Sequence, residues 1–492
     1  MAQSATTPLA TGLQSAELME TMSRRNNRQF DTRGKVLVVG MGATGLSCVR
    51  FLLAQGLDVM VCDSRTAPPM LAAVQQLLPA EAIQCGSFDA ESFRHCRQLV
   101  LSPGISLQDE TIQAALVQGV EVVGDIELFA RYVDAPVIAI TGSNGKSTVT
   151  ALVGEMLQRS GCDVRIGGNF GTPALDLLTG PRPDAYVLEL SSFQLETTSS
   201  LNAVASVILN ISPDHMDRYT DVSAYLAAKQ RIWAGDGVVV INRDDAGLLI
   251  DQAGKSGLVL GRRQVGFTLA EPTGQDYGLR FYDGMEWLAQ GTVRLLPVAA
   301  LHLVGRHNIA NALAALALAE ALIESSPGTA TQSPSAVRPA LLQALADFGG
   351  LPHRMEWLTE VGGISWYNDS KGTNVGATLA AIQGLDCQVV LIAGGLAKDA
   401  DFSPLAEVMA VRGRAVVLIG RDAAQIEAQL GDVVPCLYAA DMDQAVALAA
   451  TQARPGDAVL LSPACASFDM FDGYEHRGRV FTAAVTRHCH EC

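Results

Sequence analysis

The stretch VIAITGSNGKSTVTALVGEML, Val137 to Leu157, constrains the fold more than any other. A short β-branched apolar run enters a glycine-rich turn, and the turn enters a segment with helical spacing. That order is the start of a buried parallel strand and its crossover helix. Gly145-Lys146-Ser147 supplies the ending of a phosphate-binding loop, but Ile140 stands where the strict pattern wants a glycine, and Gly142 is the glycine nearer by. The physical requirement is still met. Glycines let successive backbone N–H groups face phosphate oxygens at the N-terminus of the following helix. Lys146 is then expected to neutralise the outer phosphates, and Ser147 or Thr148 to ligate Mg²⁺.

The same strand–glycine–helix grammar recurs twice. From Lys35, KVLVVGMGATGLSCVRFLLAQGLDVMVCDSR repeats it, and the runs RQLVLSPGI and GVEVVGD complete a Rossmann-like domain over 35–127, after a disordered tail at 1–34. The second block, 128–348, runs through DAYVLELSSFQLE, ASVILNISPDHMDRY, GVVVINRDD and the helix HNIANALAALALAEALI. Between Val265 and Val298 it carries short alternating strands with turn residues, which predict a small antiparallel sheet. The third block, 349–492, opens on Gly349, Gly350 and Pro352, which suit a hinge, and contains the apolar runs QVVLIAGG, AVVLIG and AVLLSPA. The fold class is α/β: two Rossmann-like domains flanking a central ATP-binding domain of phosphate-loop type.

Composition narrows the function. A net charge of −16 argues against a broad nucleic-acid surface and requires that anionic substrates be held by local positive groups. No apolar run approaches the ~18 residues that span a bilayer, and the first 34 residues lack the apolar core of a secretory signal. The ten cysteines show no CxxC pairing, so neither a disulfide framework nor a zinc ribbon is expected, and the compartment reads as reducing cytoplasm. The closing HCHEC reads as adventitious metal binding at a frayed end. Only six of the 35 basic residues are lysines: Lys35, Lys146, Lys229, Lys255, Lys371 and Lys398. A chain that otherwise uses arginine keeps lysine where a compact, titratable ammonium is needed. Lys35 and Lys255 fit chance retention; the other four lie in unusual segments.

Several segments then offer chemistry. GMGATG, Gly40 to Gly45, followed by Asp63 at the end of the next strand, fits a dinucleotide site, the diphosphate of a UDP-sugar, or packing glycines alone. Glu189 ends an apolar strand at the same sheet end as the phosphate loop, a natural Mg²⁺ contact. His215 follows another strand, where a hydrogen-bonded structural role is the commoner one. Lys229 lies on the helix AYLAAKQRIW, where solvent exposure is the default. In the third block His353, Arg354, Asn368, Asp369, Lys371, Thr373, Lys398 and Ser467 fall at strand ends, where such folds bind ligands.

Taken in order, TGSNGKST, LELSSFQLE, DHMDRY, the HNIAN helix, GLPHR, NDSKGTN and LLSPACASFDMF resemble the Mur ligases, ATP-dependent amide ligases of peptidoglycan synthesis. Within the family they look like the branch that adds D-glutamate. The resemblance covers roughly residues 35–485. It implies that Gly142, Ser143, Asn144, Gly145, Lys146, Ser147 and Thr148 bind ATP, with Asn308, Asn311, His353, Arg354 and Asp369 facing the nucleotide. It implies two Mg²⁺ ions, one on Ser147 and Glu189 and one on His215 and Lys229, Lys229 being carbamylated. Ala43, Thr44, Asp63, Ser64, Arg65, Gly104 and Asn169 would bind the UDP-substrate, and Lys371, Thr373, Lys398, Ser467 and Tyr474 the amino acid. Catalysis would rest on Lys146, Glu189, His215 and Lys229, through an acyl phosphate. The implied partners are small molecules, UDP-N-acetylmuramoyl-L-alanine, D-glutamate and ATP, used by a cytoplasmic monomer with no nucleic acid and no membrane. Leu396-Ala397, Phe468 and Tyr474 depart from the family pattern around the amino-acid pocket. The rivals are another Mur ligase, a folylpolyglutamate synthetase, a phosphate-loop switch, and an NAD-dependent oxidoreductase. The last leaves the GKST loop and the third block unexplained.

Overall fold

A computed structural model describes residues 32–249, 261–303, 305–325, 334–397 and 400–491. The tail expected at 1–34 lies almost wholly outside them, as do Lys255 and Lys398. The chain divides into two compact units, Met1–Phe129 and Ala130–Cys492.

The first unit is one parallel sheet, ordered β3-β2-β1-β4-β5, of β1 (Val36–Val39), β2 (Val59–Asp63), β3 (Ile83–Cys85), β4 (Gln98–Leu101) and β5 (Glu121–Gly124). Every residue of β1 and β2 is buried, as expected of strands covered on both faces. Helix α1 (Ala43–Ala54) leaves β1 through the GMGATG turn. A Cβ at Gly45 would stand 1.9 Å from the Gly40 carbonyl oxygen, so this glycine is required for the helix to pack on its strand.

The second unit holds two sheets. The larger is ordered β14-β13-β12-β11-β10-β9-β6-β8-β7. It comprises β6 (Val137–Thr141), β7 (Val164–Gly168), β8 (Ala185–Glu189), β9 (Ala205–Ile208), β10 (Val238–Asn242), β11 (Gln264–Phe267), β12 (Tyr277–Tyr282), β13 (Met285–Gln290) and β14 (Val293–Pro297). The strands β6 to β11 pair in parallel, and β12 to β14 form an antiparallel meander. The meander is no separate sheet: the pair Phe267–Tyr277 ties β12 to β11 and extends the central sheet. Helices α2 (Lys146–Arg159) and α3 (Val222–Gln230) follow β6 and β9, and α4 (Arg306–Ser325) fills the core with Leu313, Leu316 and Leu318. By length and hydropathy α4 could cross a membrane, but 83% of its apolar window is buried, so it serves as a core helix.

The smaller sheet is ordered β15-β16-β20-β17-β18-β19, with β15 (Glu356–Val361), β16 (Ile364–Asn368), β17 (Val389–Gly394), β18 (Gly413–Ile419), β19 (Cys436–Tyr438) and β20 (Ala458–Leu461). Only β15 runs antiparallel to its neighbour. Separate cores cover its faces, one around Leu391 and Phe402, the other around Trp366 and Phe481. Helix α5 (Val375–Gln383) follows β16, and α6 (Tyr474–Glu491) closes the chain.

Candidate active site

The loop between β6 and α2 is built to present donors. Gly145 caps α2 at φ +82 without a side-chain bond, leaving the helix N-terminus to a ligand. A Cβ there would meet Asn311 Oδ1 at 2.5 Å, so only glycine lets the loop rest on α4. Asn210 pins the loop, accepting from the Asn144 amide at 2.9 Å and donating to the Asn144 carbonyl at 3.1 Å. Lys146 lies across the loop, its Nζ donating to the Gly142 and Ser143 carbonyls at 2.8 Å each. Burial pulls its pKa down against the carboxylates of Glu189 and Asp214, which pull it up.

Glu189 is buried at the end of β8. It accepts from the Ser147 hydroxyl on one oxygen and from Asn169 Nδ2 at 2.6 Å on the other. Asn169, expected near the sugar, therefore sits beside the phosphate-loop carboxylate. The Ser147–Glu189 pair offers hard oxygen donors next to Lys146 and suits Mg²⁺. Among the described residues no group of three or more His, Cys, Asp or Glu could hold a metal.

Lys229 is not the exposed helix lysine its local pattern suggests. It is 1% exposed, with Nζ donating to the Gly142 carbonyl at 2.9 Å and lying 4.5 Å from the Tyr225 ring centroid. Burial drives its pKa well below that of a free lysine, and the nearby Lys146 adds to the shift. The result is a lysine poised to be a neutral amine. His215 sits at φ +59 with its ring 4.7 Å from that of Phe193, adjoining Asp214.

From the C-terminal part of the same unit, Arg354 donates from Nη2 to the Ser147 hydroxyl. Asn374, the N-cap of α5, donates to Asn144 Oδ1 at 3.1 Å and to Asp214 Oδ2 at 3.3 Å. Lys371 Nζ lies 3.8 Å from the Tyr474 ring centroid. Burial, then the cations Arg354 and Lys146, lower its pKa to about 8. Asp369, which accepts from Ser462 Oγ at 2.7 Å, is raised by burial to about 7.

Two cavities meet along the phosphate loop. One, of about 270 Å³, is lined by Lys146, Ser147, Glu189, His215, Lys229, Lys371 and Thr373, with Asn169 and Arg354. Three of the four lysines in the described residues thus face one space. The other, of about 350 Å³, is lined by Asn144, Gly145, Thr148, Asn308, Asn311 and Asp369 and by Asp244, Phe267, Leu269, Ala377 and Ala380.

Other expected residues fall elsewhere. His353 lines neither cavity: at φ +62 its ring turns to Asn368, whose Nδ2 lies 2.9 Å away, and packs on Gly478. Ser467 is buried, and its carbonyl accepts from Phe471 N at 2.9 Å. Phe468 is 70% exposed, and Ala397 is fixed by Asp422 through its amide. In the first unit Ala43, Thr44, Asp63, Ser64, Arg65 and Gly104 gather at the carboxyl ends of β1, β2 and β4. There Asp63 is occupied: Arg65 donates Nε at 2.8 Å and Nη2 at 2.7 Å, and the Met41 amide donates at 2.7 Å. Asn210, Asp214, Tyr225 and Asn374 are the site residues that sequence reasoning missed. Only the helix-capping pattern of Asn374 ahead of VGATLAAI offered a signal.

Comparison with known proteins gives three profile matches: Mur ligase MurD-like N-terminal domain over 34–124, Mur ligase middle domain over 140–319, and Mur ligase glutamate ligase domain over 353–465. A UDP-N-acetylmuramoylalanine–D-glutamate ligase of Nitrosococcus oceani is 53% identical over 91% of this chain and 96% of its own length. The protein of the same name from Thiobacillus denitrificans is 49% identical over 92% and 96%. Among solved structures, the Thermotoga maritima UDP-N-acetylmuramate-alanine ligase superposes with a TM-score of 0.55 at 18% identity, covering 92% of this chain and 99% of that one. The Thermotoga maritima MurF ligase in complex with ADP gives 0.56 at 15%, over 93% and 96%. At such identities the structures speak to the fold alone.

Proposed function

Because the chain belongs to the Mur ligase family, we propose that it joins D-glutamate to UDP-N-acetylmuramoyl-L-alanine with ATP, forming an amide bond in peptidoglycan precursor synthesis. The observation that carries this reading is the cavity that gathers a phosphate loop, Lys146, Lys229 and Lys371 with Arg354 and Thr373 around one space. The relatives at 53% and 49% identity supply the substrate names.

The reaction asks little covalent chemistry of the protein. The substrate carboxylate attacks the γ-phosphorus, the bond to the β-phosphate oxygen breaks, and ADP leaves with that electron pair. The amine of D-glutamate then adds to the acyl phosphate and loses a proton, and phosphate departs. Lys146 and the free amides at the start of α2 hold phosphate oxygens as charge moves onto them. Arg354, already on Ser147, draws the C-terminal wall onto the γ-phosphate position. Ser147 and Glu189 would hold Mg²⁺, which when bound neutralises phosphate charge. His215 and Lys229 would hold a second ion. As a neutral amine, Lys229 adds CO₂ and releases a proton, and the carbamate so formed supplies the oxygen that an ammonium cannot. Lys371 and Thr373, with Tyr474 against Lys371, form the proposed amino-acid pocket, which Lys398 and Ser467 join by the family resemblance alone. Residues 35–127 take the UDP end, and Gly349 to Pro352 serve as the hinge.

Phosphate release with ATP, Mg²⁺ and UDP-N-acetylmuramoyl-L-alanine tests the reading, offering D-glutamate beside L-glutamate, L-alanine and diamino acids. Release with D-glutamate alone is expected, with the coupled product seen by mass. Release with another amine would move the chain to a different branch of the family.

A further inference from the structure

Asn374 lines the smaller cavity beside Lys146, Lys371 and Thr373, yet neither the motif reading nor the proposed reaction gives it a task. It is buried at the start of α5. Its Oδ1 accepts from the Ala377 amide at 2.8 Å, which caps the helix. That bond settles which way the side-chain amide is turned, because an N–H donor must meet the oxygen. Nδ2 therefore faces away from the helix, and its two hydrogens meet two acceptors, Asn144 Oδ1 at 3.1 Å and Asp214 Oδ2 at 3.3 Å.

Each acceptor belongs to a different part of the site. Asn144 is in the phosphate loop, its backbone held by Asn210. Asp214 is in the turn that carries His215, and its other oxygen accepts from the His215 amide at 3.0 Å. His215 stands there at φ +59, a conformation that a residue with a side chain keeps only where its surroundings hold it. Packing brings these parts close. A Cβ at Gly376 would stand 3.0 Å from Ser212 Oγ, so the first turn of α5 rests against the loop that follows β9. Thr373 and Lys371 lie one and three residues before Asn374 and share its cavity.

We propose that Asn374 is a positioning residue: it clasps the start of α5, with Lys371 and Thr373, to the phosphate loop and to the turn of His215. This rests on the cavity being the place where the phosphoryl group moves. Groups on both sides of the clasp then act on the same phosphate and acyl carbon, where a misplacement of ~1 Å costs about 10²-fold in rate. A helix cap alone would ask only for an acceptor, which serine or aspartate supplies equally well. The two donated bonds ask for the amide.

Two variants keep the cap and remove the clasp. Asn374→Ser caps α5 with a hydroxyl too short for Asn144 and Asp214, and it adds no charge. Asn374→Asp caps as well but sets a carboxylate against that of Asp214. The melting temperature of Asn374→Ser should stay near that of the wild type, whereas Asn374→Ala, which has no cap, should melt lower. Phosphate release by the full chain should show kcat down about tenfold in Asn374→Ser and about 100-fold in Asn374→Asp. The ATP dissociation constant of Asn374→Ser, by calorimetry, should stay within about threefold of the wild type. Hydrogen exchange needs no substrate: residues 142–148 and 210–215 should exchange faster in Asn374→Ser than in the wild type. Wild-type kcat in a folded Asn374→Ser overturns the assignment, and so does unchanged exchange in both segments. Should the wild type release no phosphate with D-glutamate, faster exchange in Asn374→Ser upholds the clasp and places the failure with the proposed function.

Discussion

The chain has two glycine turns that look alike in sequence and differ in what surrounds them. Both follow a buried parallel strand, both open a helix, and both contain a glycine whose Cβ would collide with a neighbour, Gly45 with Gly40 and Gly145 with Asn311. At GMGATG the nearest acid, Asp63, is satisfied within its own unit by Arg65 and the Met41 amide. At GSNGKST the charged groups are set against one another: Lys146 and Lys229 share the Gly142 carbonyl, and Glu189 accepts from a serine and an asparagine, with no ion pair to it among the described residues. Two lysine nitrogens crowd one backbone oxygen, and burial drives Lys229 toward its neutral form, so the loop is short of an anion. The glycines describe a shape common to both turns. The charge balance around them separates a turn whose acid is already neutralised from one arranged to receive a polyanion.

The most severe test of that contrast is Lys146→Ala. Turnover by phosphate release is expected to fall by at least about 10³-fold, with the melting temperature held or raised, since a partly buried cation beside Lys229 has gone. A folded variant with near-normal turnover would remove the loop from the chemistry. Lys229→Ala comes next, with a loss of roughly 10²-fold or more and partial recovery on adding short-chain carboxylic acids, which return an oxygen ligand. No recovery in a folded variant would count against a carbamate and leave Lys229 as a purely positional cation.

Why Lys229 reads so differently in sequence and in structure follows from the level at which its fate is decided. The parallel strands of the three sheets were legible because strands covered on both faces become continuous apolar runs, as in VVLIAG and VIAIT. The phosphate loop was legible because glycine, lysine and serine act there through local geometry. The burial of Lys229 is tertiary: α3 packs so that its last turn points at β6, and AYLAAKQ alone looks like a surface helix. His353 needed a backbone φ of +62 and the absence of a side chain at Gly478, neither visible in GLPHR. The bridge from Asn374 to Asn144 and Asp214 joins residues 160 or more apart in sequence, which no motif spacing encodes. The meander was legible as antiparallel, but its attachment to the central sheet hangs on the single pair Phe267–Tyr277.

The smallest expected effect belongs to the other turn, and it has a pH signature. Burial alone would raise the Asp63 pKa, but hydrogen bonds from Arg65 and the Met41 amide outweigh it and lower it to about 2. A carboxylate depressed in the folded state contributes stability that is fully present above its unfolded pKa, near 4, and is lost as pH falls toward 2. Arg65 is 54% exposed, so solvent screening trims the contribution to about 1–2 kcal/mol. Asp63→Asn should therefore lower stability by that amount at pH 7 in denaturant titrations, and the gap to the wild type should close as pH drops from about 4 to 2. Phosphate-loop chemistry should be untouched in the same variant, so nucleotide affinity serves as the internal control. A gap that persists unchanged at pH 2 would mean that Asp63 acts through packing and not through its charge, and the two turns would then differ less than their charge balance suggests.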